Sequence, residues 1–283
     1  VIKNKFGTEK NLTDTVLPKK FCKDLKLKLH QVNIDYEYFN KNFIKIVNNC
    51  DDLFLDSGSL IHYALAEKAK KIGAKVILTG GGGDEIFGGY YWQARLKSIN
   101  KFILKRALRE SSFSKISYFF YKILPYSKNK IINKIKGANN LLINPKIWHA
   151  MSHGNIFQKF IGKENLYIFK YLENISNEYF NRALKSNPND VYNAINYANI
   201  FTVLSRQNNT YDHGTMMHSI ENRSPFLDKD LVEFMMSLPD SIKWKANRKF
   251  LLSELLKGEL PSYITRAKKS GPSVNLEYWF NNT

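Results

Sequence analysis

The chain is 283 residues long, and 43% of them are hydrophobic, which is enough for a buried core in one large domain or two small ones. Its two cysteines, Cys22 and Cys50, exclude a disulfide scaffold and a CxxC-based zinc site, and they fit a reducing cytoplasm. No run approaches 18 apolar residues and the first residues lack a signal-peptide pattern, so we expect no membrane span and a cytoplasmic location.

A formal net charge of +18 raises the question of a nucleic-acid partner, because clustered basic residues neutralise phosphates. The lysines are instead spread along a chain rich in lysine, asparagine and isoleucine. The densest basic and aromatic stretch, residues 114–130, is typical either of a helix on a membrane surface or of a packed helix with a solvated flank, and Pro125 favours the second. We therefore expect neither nucleic acid nor a membrane as a partner.

The first part of the chain carries an α/β pattern. Short apolar runs at 25–27 and 32–34 predict one α/β unit before residue 50. Ser59 is the predicted N-cap of a helix, and Gly73 is the predicted residue just past its end. The apolar residues of this helix recur at helical spacing: Ile61, Ala64, Leu65, Ala69 and Ile72. Residues 76–78 then predict a buried parallel strand, and the glycine-rich loop after it would lie at the edge where ligands of such sheets bind.

From about residue 100 the pattern becomes helical. Either Asp190 or Asn189 is the predicted cap of a helix whose apolar face is formed by Val191, Ala194, Ile195, Ala198 and Phe201. A second packed helix is predicted from Leu231, Phe234 and Met235. Both stripes are typical of core residues and not of a cofactor site.

Four consecutive glycines, residues 80–83, let several backbone N–H groups approach an anion. Asp84 and Glu85 follow directly, and two carboxylates beside a phosphate favour a divalent cation between them. The stretch therefore predicts either a magnesium–phosphate site or a tight structural turn. It is not a Walker A loop, because no Lys-Ser/Thr pair follows, and its spacing does not fit GxGxxG.

Two later segments also carry charged groups of interest. Residues 212–228 hold several acids together with Arg223, and the sequence leaves open whether they form a buried ion-pair network at a helix end or a functional cluster. Near the end of the chain, Arg266, Lys268 and Lys269 either stabilise phosphate charge in a transition state or form a basic tail.

Taken in order, these segments resemble the synthetase domain of the asparagine synthetase family. The family's loop Ser-Gly-Glu/Asp-Gly-Ala/Gly-Asp-Glu-Leu-Phe-Gly-Gly-Tyr is similar to residues 79–90, and its Asp-x3-Met-x4-Glu-x-Arg-x-Pro-Phe-Leu-Asp run is similar to residues 212–228 at every spacing. Its Lys-x-x-Leu, Leu-Pro and Arg-x-Lys segments resemble residues 249–252, 260–261 and 266–268. The resemblance spans most of the chain and is weakest in the middle.

The resemblance implies an α/β fold with a doubly wound, mostly parallel sheet of the ATP-pyrophosphatase type and large helical additions. Residues 1–98 would form part of the nucleotide-binding core, and residues 99–283 a mainly helical remainder of the same domain. The implied activity is that of an ATP-dependent carbon–nitrogen ligase of asparagine biosynthesis, which adenylates a carboxylate, expected to be aspartate, and releases AMP and pyrophosphate. ATP and Mg²⁺ are the implied cofactors, and a homodimer is a further expectation.

The family's functional residues carry over to matching positions of this chain. The resemblance implies catalytic roles for Lys268, Arg266, Glu221 and Arg223. It implies nucleotide-binding roles for Thr79, Gly80, Gly81, Gly82, Asp84, Glu85 and Lys249. Asp84 is also the implied ligand of Mg²⁺ on pyrophosphate. Lys269 is a rival to Lys268, because the spacing from the Leu-Pro pair to Arg266 is one residue short of the family pattern.

The chain departs from the family pattern in two ways. The family's SGGxDS pyrophosphate loop and the glutaminase domain that supplies ammonia would precede Val1, which would begin inside the second strand. We therefore expect the chain to be a fragment that is inactive alone. Gly81 stands where asparagine-forming members carry a carboxylate, so the acyl substrate and the amine stay open. A related cyclase, a sugar-cluster amidotransferase and a non-catalytic nucleotide-binding or interaction domain are the alternatives.

Overall fold

A computed structural model of the chain describes residues 12–50, 57–90, 166–187, 190–243, 249–267 and 274. Several sequence predictions lie outside these described residues. They concern the basic stretch 114–130, Asn189 as an alternative cap, and the choice between Lys268 and Lys269.

The described elements make an α-rich α/β protein with a small parallel sheet. The helices are α1 (Leu12–Asp24), α2 (Tyr36–Asn48), α3 (Ser57–Lys71), α4 (Gly83–Phe87), α5 (Leu166–Ser186), α6 (Val191–Asn199), α7 (Ser205–Met216), α8 (Lys229–Ser237), α9 (Asp240–Lys243), α10 (Phe250–Leu255) and α11 (Ser262–Thr265). The strands are β1 (Val76–Leu78) and β2 (Glu221–Arg223), and two short segments are a π-helical turn, Ile200–Leu204, and a 3₁₀ helix, Pro225–Leu227.

The chain divides into two compact units, each assembled from separate segments. The first unit contains the described residues within Val1–Gly81, Arg206–Pro225 and Leu252–Thr283. The second contains those within Gly82–Ser205 and Phe226–Leu251. Across the described part of the chain, no helix combines the length and the apolar character that crossing a membrane requires.

The sheet of the first unit pairs β1 with β2 in parallel, with Ile77 opposite Asn222. The parallel arrangement confirms the prediction from the sequence, but the predicted burial of β1 is wrong because Leu78 is 72% exposed. Ile77 packs against a buried cluster that includes Ala66 and Ala69 of α3. In the described structure one face of the sheet is thus covered by α3, and the face of Leu78 is open.

Helix α3 ends as the sequence predicts. Gly73 adopts φ +82°, its N–H donates to Lys70 O at 3.0 Å, and the N–H of Ala74 donates to Ala69 O at 3.0 Å. This pair of bonds is a Schellman motif, which needs a left-handed residue that glycine adopts without strain. The predicted start is wrong, because α3 begins at Ser57 and Ser59 lies buried inside it.

The core of the first unit lies between α2 and α3, and one face of α3 fills it as predicted. Its buried residues are Ile34, Phe39, Ile46, Leu60, Ile61, Tyr63, Ala64 and Val274. Two residues of the predicted apolar face, Leu65 and Ile72, are exposed instead. The predicted α/β unit before residue 50 is also wrong for its described part, since residues 12–50 contain α1 and α2 and no strand.

The second unit is built around α5, α6, α4 and α8. Asp190 caps α6 by accepting a hydrogen bond from Asn193 N at 3.0 Å, which confirms the predicted cap. Phe201 falls in the π-helical turn after α6 and is exposed, contrary to prediction. A π turn changes the phase of the helical face, which explains this difference. In α8 Met235 is buried as predicted, whereas Phe234 is exposed.

Candidate active site

In the first unit, the loop after β1 meets the residue that follows β2. Thr79 continues the ladder by donating its N–H to Arg223 O at 2.8 Å. The hydroxyls of Thr79 and Ser224 are hydrogen-bonded at 3.0 Å. Both residues lie at the carboxyl ends of parallel strands, where α/β sheets bind ligands. The carboxyl ends of β1 and β2 are therefore the candidate ligand-binding region of the first unit.

Gly81 lies against polar side chains at the same edge. A Cβ atom at Gly81 would be 2.8 Å from Ser224 Oγ and 3.6 Å from Asn208 Oδ1. The first distance is shorter than real Cβ contacts, so any larger residue at position 81 requires the Ser224 side chain to move. The Ser224 hydroxyl occupies the space that a side chain at position 81 would need.

The second unit begins at Gly82, whose φ of +80° turns the chain into α4. A Cβ atom there would lie 2.1 Å from Leu227 Cδ2, so both the backbone conformation and the packing require glycine. At the other end of α4, the N–H groups of Gly88 and Gly89 both donate to Asp84 O, at 3.0 and 2.9 Å. These contacts fix the backbone of Asp84 and close the segment 84–89 into a compact turn, called here the closed loop.

The closed loop places Asp84 beside Lys249. Lys249 Nζ lies 2.8 Å from Asp84 Oδ1, and the two side chains are 35% and 19% exposed. The N–H of Lys249 also donates to Gly88 O at 3.3 Å. A Cβ atom at Gly89 would lie only 1.8 Å from Asp84 Oδ1, so the absence of a side chain at Gly89 makes room for this ion pair.

Lys249 has a left-handed backbone, with φ of +51°. A non-glycine residue in this region costs about 1 kcal/mol or more, and such residues cluster at ligand-binding and active sites. The structure thus brings together two residues that the sequence predicts to bind the nucleotide, Asp84 and Lys249. Their roles toward a nucleotide stay predictions.

Glu85, the second acid of the loop, is buried and bonded to a tyrosine. Its side chain is only 2% exposed, and it accepts a hydrogen bond from Tyr90 OH. Both residues belong to the loop motif, but the sequence signal did not reveal that they bond to each other. The predicted nucleotide-binding role of Glu85 stays a prediction, and its observed contact is one that holds the loop closed.

Glu221 and Arg223 form an ion pair on the open face of β2. Arg223 Nε donates to Glu221 Oε1 at 2.9 Å, and Arg223 Nη2 donates to Glu221 Oε2 at 3.1 Å. The sequence left open whether the acids of 212–228 pair with Arg223 in a buried network, and the observed pair is exposed because the two alternate residues of β2 share the open face. These hydrogen bonds lower the pKa of Glu221 and raise the pKa of Arg223.

Whether Asp84 suits a magnesium ion depends on the ligands around it. The described ranges contain no cluster of three or more potential ligands from histidine, cysteine, aspartate or glutamate. Magnesium is commonly held by one or two carboxylates plus phosphate oxygens and water, so Asp84 fits as a single protein ligand to a metal carried by phosphates. Lys249 would then lie next to the same phosphates as a positive charge.

The last predicted residues lie near the end of the described chain. Arg266 follows α11, and its N–H donates to Ser262 O at 3.0 Å, while its side chain is exposed. Lys268 and Lys269 are outside the described residues.

A family model described as asparagine synthase matches residues 5–283. The chain belongs to the asparagine synthase family. This confirms the family resemblance that the loop, the 212–228 run and the later segments predict. Members of this family are carbon–nitrogen ligases that form amides, and the family uses ATP.

Two curated relatives from bacteria and archaea match parts of the chain. Asparagine synthetase (glutamine-hydrolyzing) 1 of Bacillus subtilis is 28% identical over 257 residues, which are 87% of this chain and 38% of that protein. A putative asparagine synthetase (glutamine-hydrolyzing) 1 of Methanocaldococcus jannaschii is 36% identical over 92 residues, or 32% of this chain and 17% of that protein. The chain thus spans well under half the length of these relatives. No solved structure matches the chain significantly.

Proposed function

We propose that this chain is the synthetase part of an ATP-dependent ligase that adenylates a carboxylate and transfers nitrogen to it, releasing AMP and pyrophosphate. Aspartate is the first candidate for the carboxylate, because both relatives are named asparagine synthetases. The observation that carries the proposal is the ion pair between Lys249 Nζ and Asp84 Oδ1, which are 2.8 Å apart. Asp84 lies in the glycine-rich loop of a chain that belongs to the asparagine synthase family.

The chemistry of the pair suits a polyphosphate. Lys249 would offer a positive charge to phosphate oxygens, and charge-assisted hydrogen bonds of this kind are about twice as strong as neutral ones. Asp84 would hold Mg²⁺ on the same phosphates, and the metal would supply neutralisation of the charge that develops on pyrophosphate as it leaves. The left-handed Lys249 and the bonds from Gly88 and Gly89 to Asp84 would keep both groups oriented before the nucleotide binds.

The remaining parts of the proposal rest on the family. We propose that the parallel pair β1–β2 belongs to a doubly wound sheet of the ATP-pyrophosphatase type, and that Glu221, Arg223, Arg266 and Lys268 act in catalysis. Ammonia would come from glutamine hydrolysis, because both relatives carry that activity in their names. A homodimer is also proposed, on the family resemblance alone.

A second candidate function follows from Gly81. The family's carboxylate is replaced there by glycine, with a serine hydroxyl 2.8 Å from the Cβ position. This change favours a related ligase that joins a different amine, such as a cyclase with an amine tethered to the acyl group or an amidotransferase that acts on a sugar. The native protein should therefore be assayed with other carboxylates as well as with aspartate.

The proposal is tested by replacing Lys249 with methionine and measuring binding of ATP–Mg²⁺ by isothermal titration calorimetry. We expect Lys249→Met to weaken binding by about 10–100-fold, because it removes a hydrogen-bonded charge from the phosphates. Lys257→Met is the matched control, since Lys257 is an exposed lysine 4.0 Å from Glu254 in the same part of the chain. Unchanged affinity in Lys249→Met would reject the site.

The reaction itself is measured as pyrophosphate release by the native full-length protein with ATP, Mg²⁺, ammonia and a panel of carboxylates. Release that depends on one carboxylate identifies the acyl substrate. If no carboxylate gives release although ATP binds, the chain is a nucleotide-binding domain and the ligase proposal is rejected.

A further inference from the structure

The sheet edge of the first unit presents acceptor oxygens to one point beside Gly81. Ser224 Oγ and Asn208 Oδ1 lie 2.8 and 3.6 Å from the position that a Cβ of Gly81 would take. Asn208 comes from α7 and Ser224 follows β2, so two separate elements direct polar groups to this point. Thr79 supports the arrangement through its hydrogen bond to the Ser224 hydroxyl.

Asn208 Oδ1 is buried, and no residue in the described ranges donates a hydrogen bond to it. A buried acceptor without a donor costs about 1–3 kcal/mol, so such an oxygen is usually satisfied by ordered water or by a bound ligand. Asn222 has a second such oxygen, buried and without a donor within the described chain. It lies two residues before Ser224, and side chains at this spacing share one face of a strand.

We propose that Asn208 and Ser224 form an uncharged acceptor subsite beside Gly81, which receives an N–H or O–H donor of the substrate. The inference rests on the proposed function and identifies specificity-determining residues for it. Two reactants carry suitable neutral donors, namely the nitrogen nucleophile and the nucleotide through its amine or ribose hydroxyls, whereas the amine of aspartate is a charged ammonium group. A glycine at position 81 is required, because a larger side chain would displace the Ser224 hydroxyl.

The subsite differs chemically from one built on a carboxylate. Neither an amide oxygen nor a serine hydroxyl ionises near neutral pH, so the subsite accepts hydrogen bonds without attracting a cation or taking up a proton. It therefore suits a neutral amine or a hydroxyl better than an ammonium group. This selectivity is the physical consequence of combining Gly81 with Ser224.

The first measurement is the thermal midpoint of Asn208→Leu without ligand. Leucine replaces an unsatisfied buried acceptor by an apolar group of similar size, so we expect the midpoint to rise by about 2–4 °C. The matched control is Asn209→Leu, the neighbouring exposed asparagine of α7, which should leave the midpoint nearly unchanged. A lower midpoint in Asn208→Leu would show that Asn208 has a structural role and would overturn the proposal.

The second measurement is the KM of each reactant in the pyrophosphate-release assay of the native protein, with hydroxylamine or ammonia as the nitrogen source. We expect Asn208→Leu and Ser224→Ala to raise one KM by about 3–10-fold, the value of one lost hydrogen bond, while the exposed control Asn209→Leu keeps the wild-type KM. A higher KM for the nitrogen source assigns the donor to the nucleophile, and a higher KM for ATP assigns it to the nucleotide.

Unchanged KM values in both variants of an active enzyme would overturn the subsite and leave the proposed function standing. If the wild-type protein releases no pyrophosphate at all, the proposed function fails separately. The subsite is then judged by the thermal midpoint of Asn208→Leu, which supports it by rising and contradicts it by falling.

Discussion

Gly89 is the residue at which the closed loop is most sensitive to a single added atom. A Cβ there would lie 1.8 Å from Asp84 Oδ1 and 2.7 Å from Lys249 Cε. Gly89→Ala therefore forces the Asp84 and Lys249 side chains apart, and overpacking of this kind typically costs 1–3 kcal/mol. Because the displaced atoms belong to the ion pair, the variant should also bind ATP–Mg²⁺ more weakly.

Gly80→Ala, in the same glycine-rich stretch, is the matched control. Nothing lies within 4 Å of its Cβ position and its φ is not positive, so alanine meets neither a clash nor backbone strain. Alanine also reduces the entropy of the unfolded chain, which stabilises the protein by about 0.4–1 kcal/mol. We thus expect the free energies of unfolding of the two variants to differ by about 1–4 kcal/mol.

The comparison is made by urea unfolding followed by circular dichroism, and by calorimetric titration of each variant with ATP–Mg²⁺. Equal stability of Gly89→Ala and Gly80→Ala would refute the close packing of Gly89 on the ion pair. If Gly89→Ala is destabilised and yet binds ATP–Mg²⁺ normally, the packing is right and the assignment of the pair to the phosphate site is wrong.

Two further predictions concern titrating side chains of the first unit. Burial lowers the pKa of His218 in the folded protein, with nearby lysines adding to the effect and Glu67 opposing it. The stability that neutral His218 contributes is therefore complete above a pH of about 6.5, the ordinary pKa of histidine. It is lost as the pH falls through the lower pKa of the folded state. The thermal midpoint should therefore drop less between pH 7.5 and pH 5 in His218→Gln than in wild type or His30→Gln, and an equal drop would contradict this account. For the exposed ion pair, Glu221→Gln should leave the thermal midpoint nearly unchanged, because solvent screens it, while lowering pyrophosphate release at least about tenfold. Unchanged release would remove Glu221 from the catalytic set.

The features that the sequence predicted well are those decided by neighbouring residues. A glycine after an apolar helix predicted the Schellman end of α3, and a side chain that caps its own helix predicted the start of α6 at Asp190. The parallel direction of β1 also followed from the order of helix, glycine and strand. Each of these depends on one continuous stretch of sequence.

The features that were missed depend on distant contacts. The burial of β1 is set by what covers each face of the sheet, and a run of three apolar residues does not reveal that Leu78 is exposed. The π-helical turn that moves Phe201 out of the core has no sequence signal comparable to a proline or a glycine. The exposure of Arg223 likewise depends on which face of the sheet is covered. Strand alternation places Arg223 and Glu221 on one face, but the sequence does not show that this face is the open one.

The candidate site shows the same division. The loop 79–90 was recognised as a ligand-binding stretch from its own residues, but the partner of Asp84 lies far along the chain at Lys249. Only the family motif placed Lys249 near the nucleotide in advance. The environment of Gly81 was not predicted, because Asn208 belongs to no recognisable sequence motif. Only the structure shows that its side-chain oxygen is buried near Gly81.

The core of the first unit combines residues from the two ends of the chain, which matters while the protein is being synthesised. Val274 packs in the same core cluster as Ile34, Ile46 and Leu60. At about 5–20 residues per second, a ribosome needs roughly 10–40 s to reach Val274 after it has made Leu60. During that interval the nascent helices α2 and α3 expose the apolar surface that Val274 later covers, which is when a chaperone would be needed most.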